Sequence, residues 1–287
     1  MADRLINYLF GFVIIAFYVL LADSTERTWI VAALVLGSIA VTLIYLNNIL
    51  SMDGAAAALV VGVISMGFGK ITGTILILFF FISSYGISWW LDDRARNNRN
   101  RDDGFQSGFI TERRNGKQVW ANSFWFVLLL TLYFLLEDRQ WMIAATAALA
   151  AATSDTWASI VGTSSAGGKT RLITTLRKVT AGTDGAVSYY GTIAAAAGAF
   201  AMTMLYLVVE FTPDLRALWI IFLSGFSGCV ADSYLGATFQ VHNVMNRLFT
   251  GKKYRLLFRI SGKLTPDNNM VNFLATGIAA LIALLLY

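Results

Sequence analysis

Two carboxylates, Asp155 and Asp232, lie inside long apolar stretches of the sequence, away from the ends of those stretches. An ionisable side chain inside a membrane span costs about 2.5–3.5 kcal/mol on insertion scales, so such a residue indicates function. At 1.5 Å per residue, both acids lie roughly 12–14 Å from the same end of their predicted spans. Two acids at matched depth could share one cation. The alternative is a pair of protonated acids that hydrogen-bond within a helical bundle.

The sequences around the two acids are alike. Residues 154–159 read Ser-Asp-Thr-Trp-Ala-Ser and residues 231–236 read Ala-Asp-Ser-Tyr-Leu-Gly, so each acid precedes a hydroxyl residue and an aromatic residue. Small residues, including Ser159, Gly162 and Gly228, share the helical face of the nearer acid. Because small residues let helix backbones approach closely, the pattern predicts that these two helices pack together near their acids. It is also compatible with a short internal repeat.

A cationic segment that contains glycine follows the first acid and leads into the next apolar span. Backbone N–H groups in such loops and at helix N-termini can bind an anion, and Lys and Arg supply counter-charge for phosphates. The spacing of a Walker A loop is absent. An acid followed by a cationic loop is nevertheless what a metal-bound polyphosphate requires. Besides the glycines at 167 and 168, the predicted phosphate-binding residues are Lys169, Arg171, Arg177, Lys178, Gly182, Thr183, Asp184 and Gly185.

Polar side chains also open two other apolar spans at the same predicted face. Gln118 and Asn122 begin one span, and Asn268 and Asn272 begin the last. Each of them could simply cap its helix. Together they are predicted to orient an acceptor phosphate or a nucleotide base.

The composition places these residues in a membrane. Hydrophobic residues make up 57% of the 287 residues, and charged residues make up 14%. Soluble domains carry about 25% charged residues. This excludes a soluble globular protein, a disordered chain and a nucleic-acid-binding domain. One cysteine, Cys229, and one histidine, His242, rule out an intrachain disulfide and argue against a zinc site. Carboxylates, amides, hydroxyls and cations must therefore carry any chemistry.

The apolar blocks predict an all-α fold: a polytopic transmembrane helical bundle of about nine spans. Their alternation puts 18 of the 22 Lys and Arg residues on one side, which the positive-inside rule makes cytoplasmic together with the N-terminus. We expect residues 1–50 to form N-terminal membrane helices and residues 51–287 to form a catalytic transmembrane domain. The predicted spans are 5–22, 28–46, 54–69, 71–91, 120–136, 141–164, 185–210, 217–240 and 270–286.

The chain resembles a widespread integral membrane family that includes the chloroplast phytyl-phosphate kinase of tocopherol synthesis. The resemblance covers roughly residues 50–287. This chain departs from the family at two positions. It has Ile160 where the family usually has Glu, and Asn269 where the family often has Asp. The residues that carry the likeness are 118–119, 121–122, 154–159, Gly162, 171–175, Arg177, Val179, 182–185, 187–188, 191–192, Gly228, 232–233, 236–238, Gln240 and 271–272.

The spacing from Asp155 to Gly185 is also similar to that of CTP-using lipid enzymes, namely dolichol and phytol kinases and CDP-diacylglycerol synthases. The resemblance implies that Asp155 and Asp232 bind Mg²⁺ and that Lys169, Arg177 and Lys178 act with them in catalysis. It implies a nucleotide-dependent kinase, using CTP or another NTP, that converts a prenyl monophosphate to the diphosphate.

We expect the active site to face the cytoplasm from the cell's inner (plasma) membrane. We expect the prenyl tail to lie among the third, sixth and eighth spans. Two alternatives stay open: a CTP nucleotidyltransferase acting on a lipid phosphate, and a lipid-phosphate transporter or flippase.

Overall fold

The computed structural model describes residues 2–97, 113–165, 169–211, 214–240 and 267–287. Nine α-helices lie within these ranges, one at each predicted span, and the all-α prediction is confirmed. A π-helical turn, Gly236–Gln240, directly continues the eighth helix. The helices are α1 Ala2–Leu20, α2 Ser24–Leu46, α3 Met52–Gly67, α4 Lys70–Asn97, α5 Gly116–Leu136, α6 Arg139–Ser165, α7 Tyr189–Glu210, α8 Leu215–Leu235 and α9 Asn268–Leu286.

Side-chain caps begin most of these helices. Ser188, for example, accepts a hydrogen bond from the Gly191 backbone N–H at the start of α7. Such caps satisfy backbone donors that have no partner within the helix. At the other end, α5 and α7 stop at Glu137 and Phe211, whose φ angles of 53° and 51° are left-handed. The other capping side chains are Asp23, Ser51, Asn115, Asp214 and Asp267.

Length and hydropathy identify six of the described helices as able to cross a membrane: α2, α4, α5, α7, α8 and α9. The apolar stretches of α1 and α3, Arg4–Leu20 and Met52–Gly67, are shorter. The protein is therefore a multi-pass helical membrane protein. The count of nine spans and the side of the N-terminus stay predictions.

Helix α6 is the centre of the bundle. Every residue from position 142 to position 154 is buried, and the helix packs against α4, α5, α7, α8 and α9. Ten of these thirteen residues are Ala, Thr or Ser, which allow neighbouring backbones to come close. Because protein rather than lipid surrounds α6, it needs little hydropathy of its own.

The first helix shares its core with the rest of the chain. Phe10 stacks on Trp120 of α5 with ring centroids 5.2 Å apart, and Phe17 meets Phe134 edge-on at 4.7 Å. The Trp120 indole N–H also donates to Asn7 Oδ1 at 2.7 Å. These contacts join α1 to α5. The predicted domain boundary between residues 50 and 51 stays a prediction.

A small hairpin connects α6 to α7, and the sequence analysis did not predict it. Strands β1 (Arg171–Leu172) and β2 (Ala186–Val187) pair antiparallel. The Val179 N–H donates to Thr170 O at 3.1 Å, and the Ile173 N–H donates to Gly185 O at 3.0 Å. These bonds fold the predicted phosphate-binding segment back on itself.

Candidate functional site

A cavity of about 400 Å³ lies among α6, α7, α8 and the hairpin. Both aspartates singled out by the sequence line it. The residues that line it include Asp155, Ser159, Gly162, Thr163, Thr170, Gly182, Thr183, Asp184, Gly185, Ser188, Phe226, Cys229, Val230, Asp232 and Asn268.

The carboxyl groups of Asp155 and Asp232 lie close enough to interact, and a hydrogen bond joins them when one of the two acids is protonated. Close packing of α6 on α8 one turn earlier explains the contact. A β-carbon on Gly228 would lie only 2.6 Å from the Ala151 β-carbon, and Gly225 makes an equally close approach to α6. Each aspartate follows its contact residue by four positions, so the two acids face one another. The small residues of the sequence pattern therefore set the position of the acid pair.

The first turn of α7 also lies directly against α6. A β-carbon on Gly191 would lie 3.1 Å from Ala158 O and 3.2 Å from the Gly162 α-carbon. The Ser188 side chain lies at the same crossing, 3.0 Å from that built β-carbon. This packing brings the N-terminus of α7 to the cavity.

The Asn272 amide connects the acid pair to α9. One end of the Asn272 amide lies 3.0 Å from Asp232 Oδ2 and 3.1 Å from Asn268 O, and hydrogen-bonds both when that end is the NH₂ group. The other end lies 3.4 Å from Asn122 Oδ1. The contact with Asn122 is a hydrogen bond only in the opposite orientation of the amide, so the Asn272 NH₂ group bonds either Asp232 on α8 or Asn122 on α5.

The Gln118 side chain takes part in the cap that begins α5. Its side-chain oxygen accepts from the Asn115 N–H at 3.0 Å, and Asn115 Oδ1 accepts from the Gln118 N–H at 3.1 Å. This is a reciprocal helix cap, and Gln118 does not line the cavity. Asn122 donates to Gln118 O at 3.0 Å. Of the four polar residues predicted at helix starts, Asn268 lines the cavity and Asn272 bonds Asp232.

The loop between the strands packs against the π-helical turn. Gly185 has a φ of +71°, and a β-carbon on it would lie 2.3 Å from Ala237 N. Gly182 has a φ of +83°. Both positions need glycine for their backbone angle, and Gly185 needs it for space as well. Between them, burial raises the pKa of Asp184, which also lies near enough to Asp232 to interact with it electrostatically.

The four predicted cations are not in the cavity wall. Lys169, Arg171, Arg177 and Lys178 are exposed on the hairpin, and Arg171 Nη1 donates to Leu176 O at 2.7 Å. Their roles in phosphate binding and catalysis stay predictions. The glycines at 167 and 168 and His242 lie outside the described residues.

Sequence reasoning missed several residues of the cavity. Cys229 is buried beside the acid pair and near Ser154. Phe226 and Val230 form an apolar wall, and Thr170 and Ser188 contribute hydroxyl groups. Helical spacing back from Asp232 does indicate that Cys229 shares its face. Thr170 gave no such signal, because its burial depends on how the hairpin folds back.

The donor set of the site fits a hard divalent cation. Among the described residues, no group of three or more His, Cys, Asp and Glu side chains is arranged to hold a metal. Mg²⁺ does not need such a group, since it commonly binds one or two carboxylates, water and substrate phosphates. Asp155 and Asp232, in mutual contact on the cavity wall, match that requirement.

The fold and the site together define a class: a polytopic helical membrane protein with an acid pair held between two packed helices. The chain belongs to the family described as integral membrane protein DUF92, whose model matches residues 34–280. This family includes phytyl-phosphate kinase, so the resemblance found in the sequence is confirmed.

Two relatives illustrate the family. Protein PGR of Arabidopsis thaliana is 30% identical over 88% of this chain and 94% of its own length. An uncharacterised membrane protein of Methanocaldococcus jannaschii is 32% identical over 61% of this chain, and the match spans 63% of that protein's length. No solved structure matches the chain.

Proposed function

We propose that this protein is a Mg²⁺-dependent kinase that uses CTP or another NTP to convert a prenyl monophosphate to the diphosphate. The observation that carries the proposal is the contact between Asp155 and Asp232 in the wall of a cavity between packed helices. Family membership supports it, because the family includes phytyl-phosphate kinase. The active face would be the end of the bundle where α6 ends, which the charge bias predicts to be cytoplasmic.

The chemistry requires little more than position and charge. Phosphoryl transfer depends mainly on aligning the two phosphates and neutralising their charge. Asp155 and Asp232 would hold Mg²⁺, which when bound would neutralise charge on the nucleotide phosphates. The prenyl monophosphate is already anionic, so the site needs no strong general base to activate it.

The remaining polar groups have separate roles in the proposal. Asn272 holds Asp232 through its 3.0 Å contact and thereby fixes one wall of the metal site. Backbone donors around Gly182 and Gly185 would meet phosphate oxygens. The exposed cations of the hairpin would raise the local concentration of anionic substrate. Ser159 and Asn268 line the cavity and would contact the nucleotide or the acceptor.

The cavity indicates a different course for the prenyl tail from the one that the sequence suggested. Its apolar wall, Phe226 and Val230, comes from α8, Ala195 of α7 also lines the cavity, and α3 contributes no residue to the lining. Phe226 lines the cavity, and its ring stacks on Phe222 with the ring centroids 6.4 Å apart. The Phe222 ring centroid lies 6.3 Å from that of Phe200 on α7. Phe200 is half exposed on the outer face. We therefore place the tail along α7 and α8 instead of among the third, sixth and eighth helices.

The test is turnover by the purified protein. With Mg²⁺ and CTP, geranylgeranyl or phytyl monophosphate should yield the diphosphate and CDP. Asp155→Asn and Asp232→Asn should each reduce turnover about a thousandfold, the loss expected when a metal's charge stabilisation is removed. Asp138→Asn, at an exposed acid before α6, is the matched control and should leave turnover unchanged.

Other outcomes would overturn the proposal. Release of pyrophosphate with a CDP-lipid product would show a nucleotidyltransferase. Failure to phosphorylate any prenyl monophosphate with any of the common NTPs would reject the kinase. Retained turnover in Asp155→Asn would remove the acid pair from the mechanism.

A further inference from the structure

The Thr170 side chain is buried in the cavity wall, and its hydroxyl has no hydrogen-bond partner among the described residues. The residue is 4% exposed, it lines the cavity, and no donor or acceptor in the described ranges meets its Oγ1. Leaving a polar group buried without a partner costs about 1–3 kcal/mol. Native structures satisfy most such groups, so one in a cavity wall indicates a missing partner.

Four other hydroxyls of the same cavity do have partners. Thr163 Oγ1 donates to Ser159 O at 2.6 Å, and Thr183 Oγ1 donates to Thr180 O at 2.7 Å. Thr192 and Ser188 likewise make bonds within the first turn of α7. These groups cap and stabilise local backbone. Thr170 makes only backbone bonds, through its carbonyl oxygen to the Val179 N–H.

The proposed metal site indicates what the missing partner is. The cavity that Thr170 lines carries the carboxylates of Asp155, Asp184 and Asp232, whereas Lys169 and Arg171, which flank Thr170 in sequence, are exposed outside the cavity wall. A divalent cation held by such carboxylates would bring the phosphates of a ligand to the hydroxyl. A threonine hydroxyl can donate one hydrogen bond, and rotation about χ1 moves it among three staggered positions. Phosphate oxygens are anionic acceptors that fit this description.

We infer that Thr170 is a substrate-binding residue whose hydroxyl donates a hydrogen bond to a phosphate oxygen in the cavity. The inference rests on the proposed function for the origin of that phosphate, which is the nucleotide or the prenyl monophosphate. The Thr170 hydroxyl forms its hydrogen bond only when ligand is present. The side chain therefore strengthens ligand binding but lowers the stability of the ligand-free protein.

The experiment compares Thr170→Val, which removes only the hydroxyl, with Thr170→Ser, which keeps it. Thr203→Val is the matched control, since Thr203 is fully buried on α7 and its hydroxyl donates to Ala199 O. Thermal melting in detergent is measured without ligand, with Mg²⁺ and CTP, and separately with prenyl monophosphate. The two ligand series distinguish the source of the phosphate.

We expect Thr170→Val to melt at or above the wild-type temperature without ligand. In one of the two series its half-saturating ligand concentration should rise about tenfold to a hundredfold, the effect of losing a hydrogen bond to a charged group. Thr170→Ser and Thr203→Val should bind ligand as the wild type does. A purely structural hydroxyl would give the reverse: lower melting without ligand and unchanged ligand binding.

Three results would overturn the inference. The first is equal ligand response in Thr170→Val and wild type. The second is a drop in ligand-free melting temperature for Thr170→Val that Thr170→Ser restores. The third is a wild type that binds neither phosphate ligand, which would reject the proposed function as well. A wild type that binds ligand at Thr170 but forms no diphosphate would reject the kinase alone.

Discussion

Gly228 of α8 and Ala151 of α6 lie in van der Waals contact, at a distance that leaves no room for a side chain on residue 228. A β-carbon there would come within 2.6 Å of the Ala151 β-carbon and 2.9 Å of the Ala279 β-carbon of α9. One turn further along each helix, Asp155 and Asp232 meet. The spacing between the two helix backbones therefore determines whether the acids can share a cation.

Substituting Gly228 should separate the acids. Gly228→Val would force α8 away from α6 and α9, and we expect turnover to fall at least about a hundredfold because a displacement of about 1 Å can cost that much. The expected loss of stability is about 1–3 kcal/mol from overpacking. Enzyme assays over a range of Mg²⁺ concentrations and thermal melting in detergent would measure the two effects.

Gly62→Val on α3 is the control for that substitution, because nothing lies within 4 Å of a β-carbon at Gly62. It should retain turnover. Wild-type turnover in Gly228→Val would show that the acid pair tolerates a wider helix spacing than the structure indicates.

The amide of Asn272 should set the orientation of Asp232. Asn272→Leu removes the group that lies 3.0 Å from Asp232 Oδ2. We expect the Mg²⁺ concentration for half-maximal turnover to rise about tenfold to a hundredfold, the range found when groups that orient metal ligands are lost. A parallel titration of CTP at saturating Mg²⁺ would check whether Asn272 acts through the metal. If only the CTP dependence changed, Asn272 would contact the nucleotide instead.

Gly185 should tolerate no side chain. Its φ is +71°, and a methyl group would overlap Ala237 of the π-helical turn. A left-handed backbone angle alone costs an L-residue about 1–2 kcal/mol. Gly185→Ala should therefore displace the loop from α8. We expect a large proportional loss of turnover and a comparatively small drop in melting temperature. Gly182→Ala provides the comparison, because it has a similar φ of +83° but open space around the built β-carbon. Equal effects of the two substitutions would make backbone angle the only cause.

Asp214 should make the stability of the protein depend on pH in the acid range. Its carboxylate accepts from the Ala217 N–H, and it pairs with Arg139 at 2.8 Å. These contacts, the backbone bond first, hold the pKa of Asp214 below its ordinary value of 3.8, although partial burial acts in the opposite direction. The stabilisation is complete above the ordinary pKa and is lost as the pH falls through the lower pKa of the folded state.

Melting curves between pH 3 and pH 7 would test this expectation. Asp214→Ala should lose about 1 kcal/mol at neutral pH, the usual value of an N-cap. Asp214→Asn keeps a good cap but loses the charge that faces Arg139, so its stability at neutral pH should lie between those of Asp214→Ala and wild type and should not fall with the pH as the wild type's does. The difference between Asp214→Ala and wild type should shrink toward pH 3. A constant difference across this range would assign the effect to packing.

The sequence predicted the helices and the acid pair for one shared reason. Long apolar runs must become helices in a membrane, because lipid offers the backbone no hydrogen-bond partners. Within such a run the cost of an acid makes Asp155 and Asp232 conspicuous, and the nearby glycines indicate which faces pack. These inferences need only local spacing.

The rest of the site depends on contacts that local spacing does not determine. Gln118 and Asn272 both begin apolar spans, yet one completes a helix cap and the other bonds Asp232. Strands β1 and β2 are two residues long and have no alternating pattern to find. Thr170 is buried only because the chain between α6 and α7 folds back on itself. The cavity therefore could not be assembled from sequence alone.

The burial of α6 bears on how the protein is made. Insertion into a bilayer is governed by the hydropathy of each segment. Helix α6 is less apolar than the six described helices whose length and hydropathy suit a membrane span. During synthesis, α6 would be retained only weakly in the lipid until adjacent helices surround it. The segment that carries Asp155 thus depends on later parts of the polypeptide, including α7 and α8, for its retention, and truncation before α8 should leave it poorly inserted.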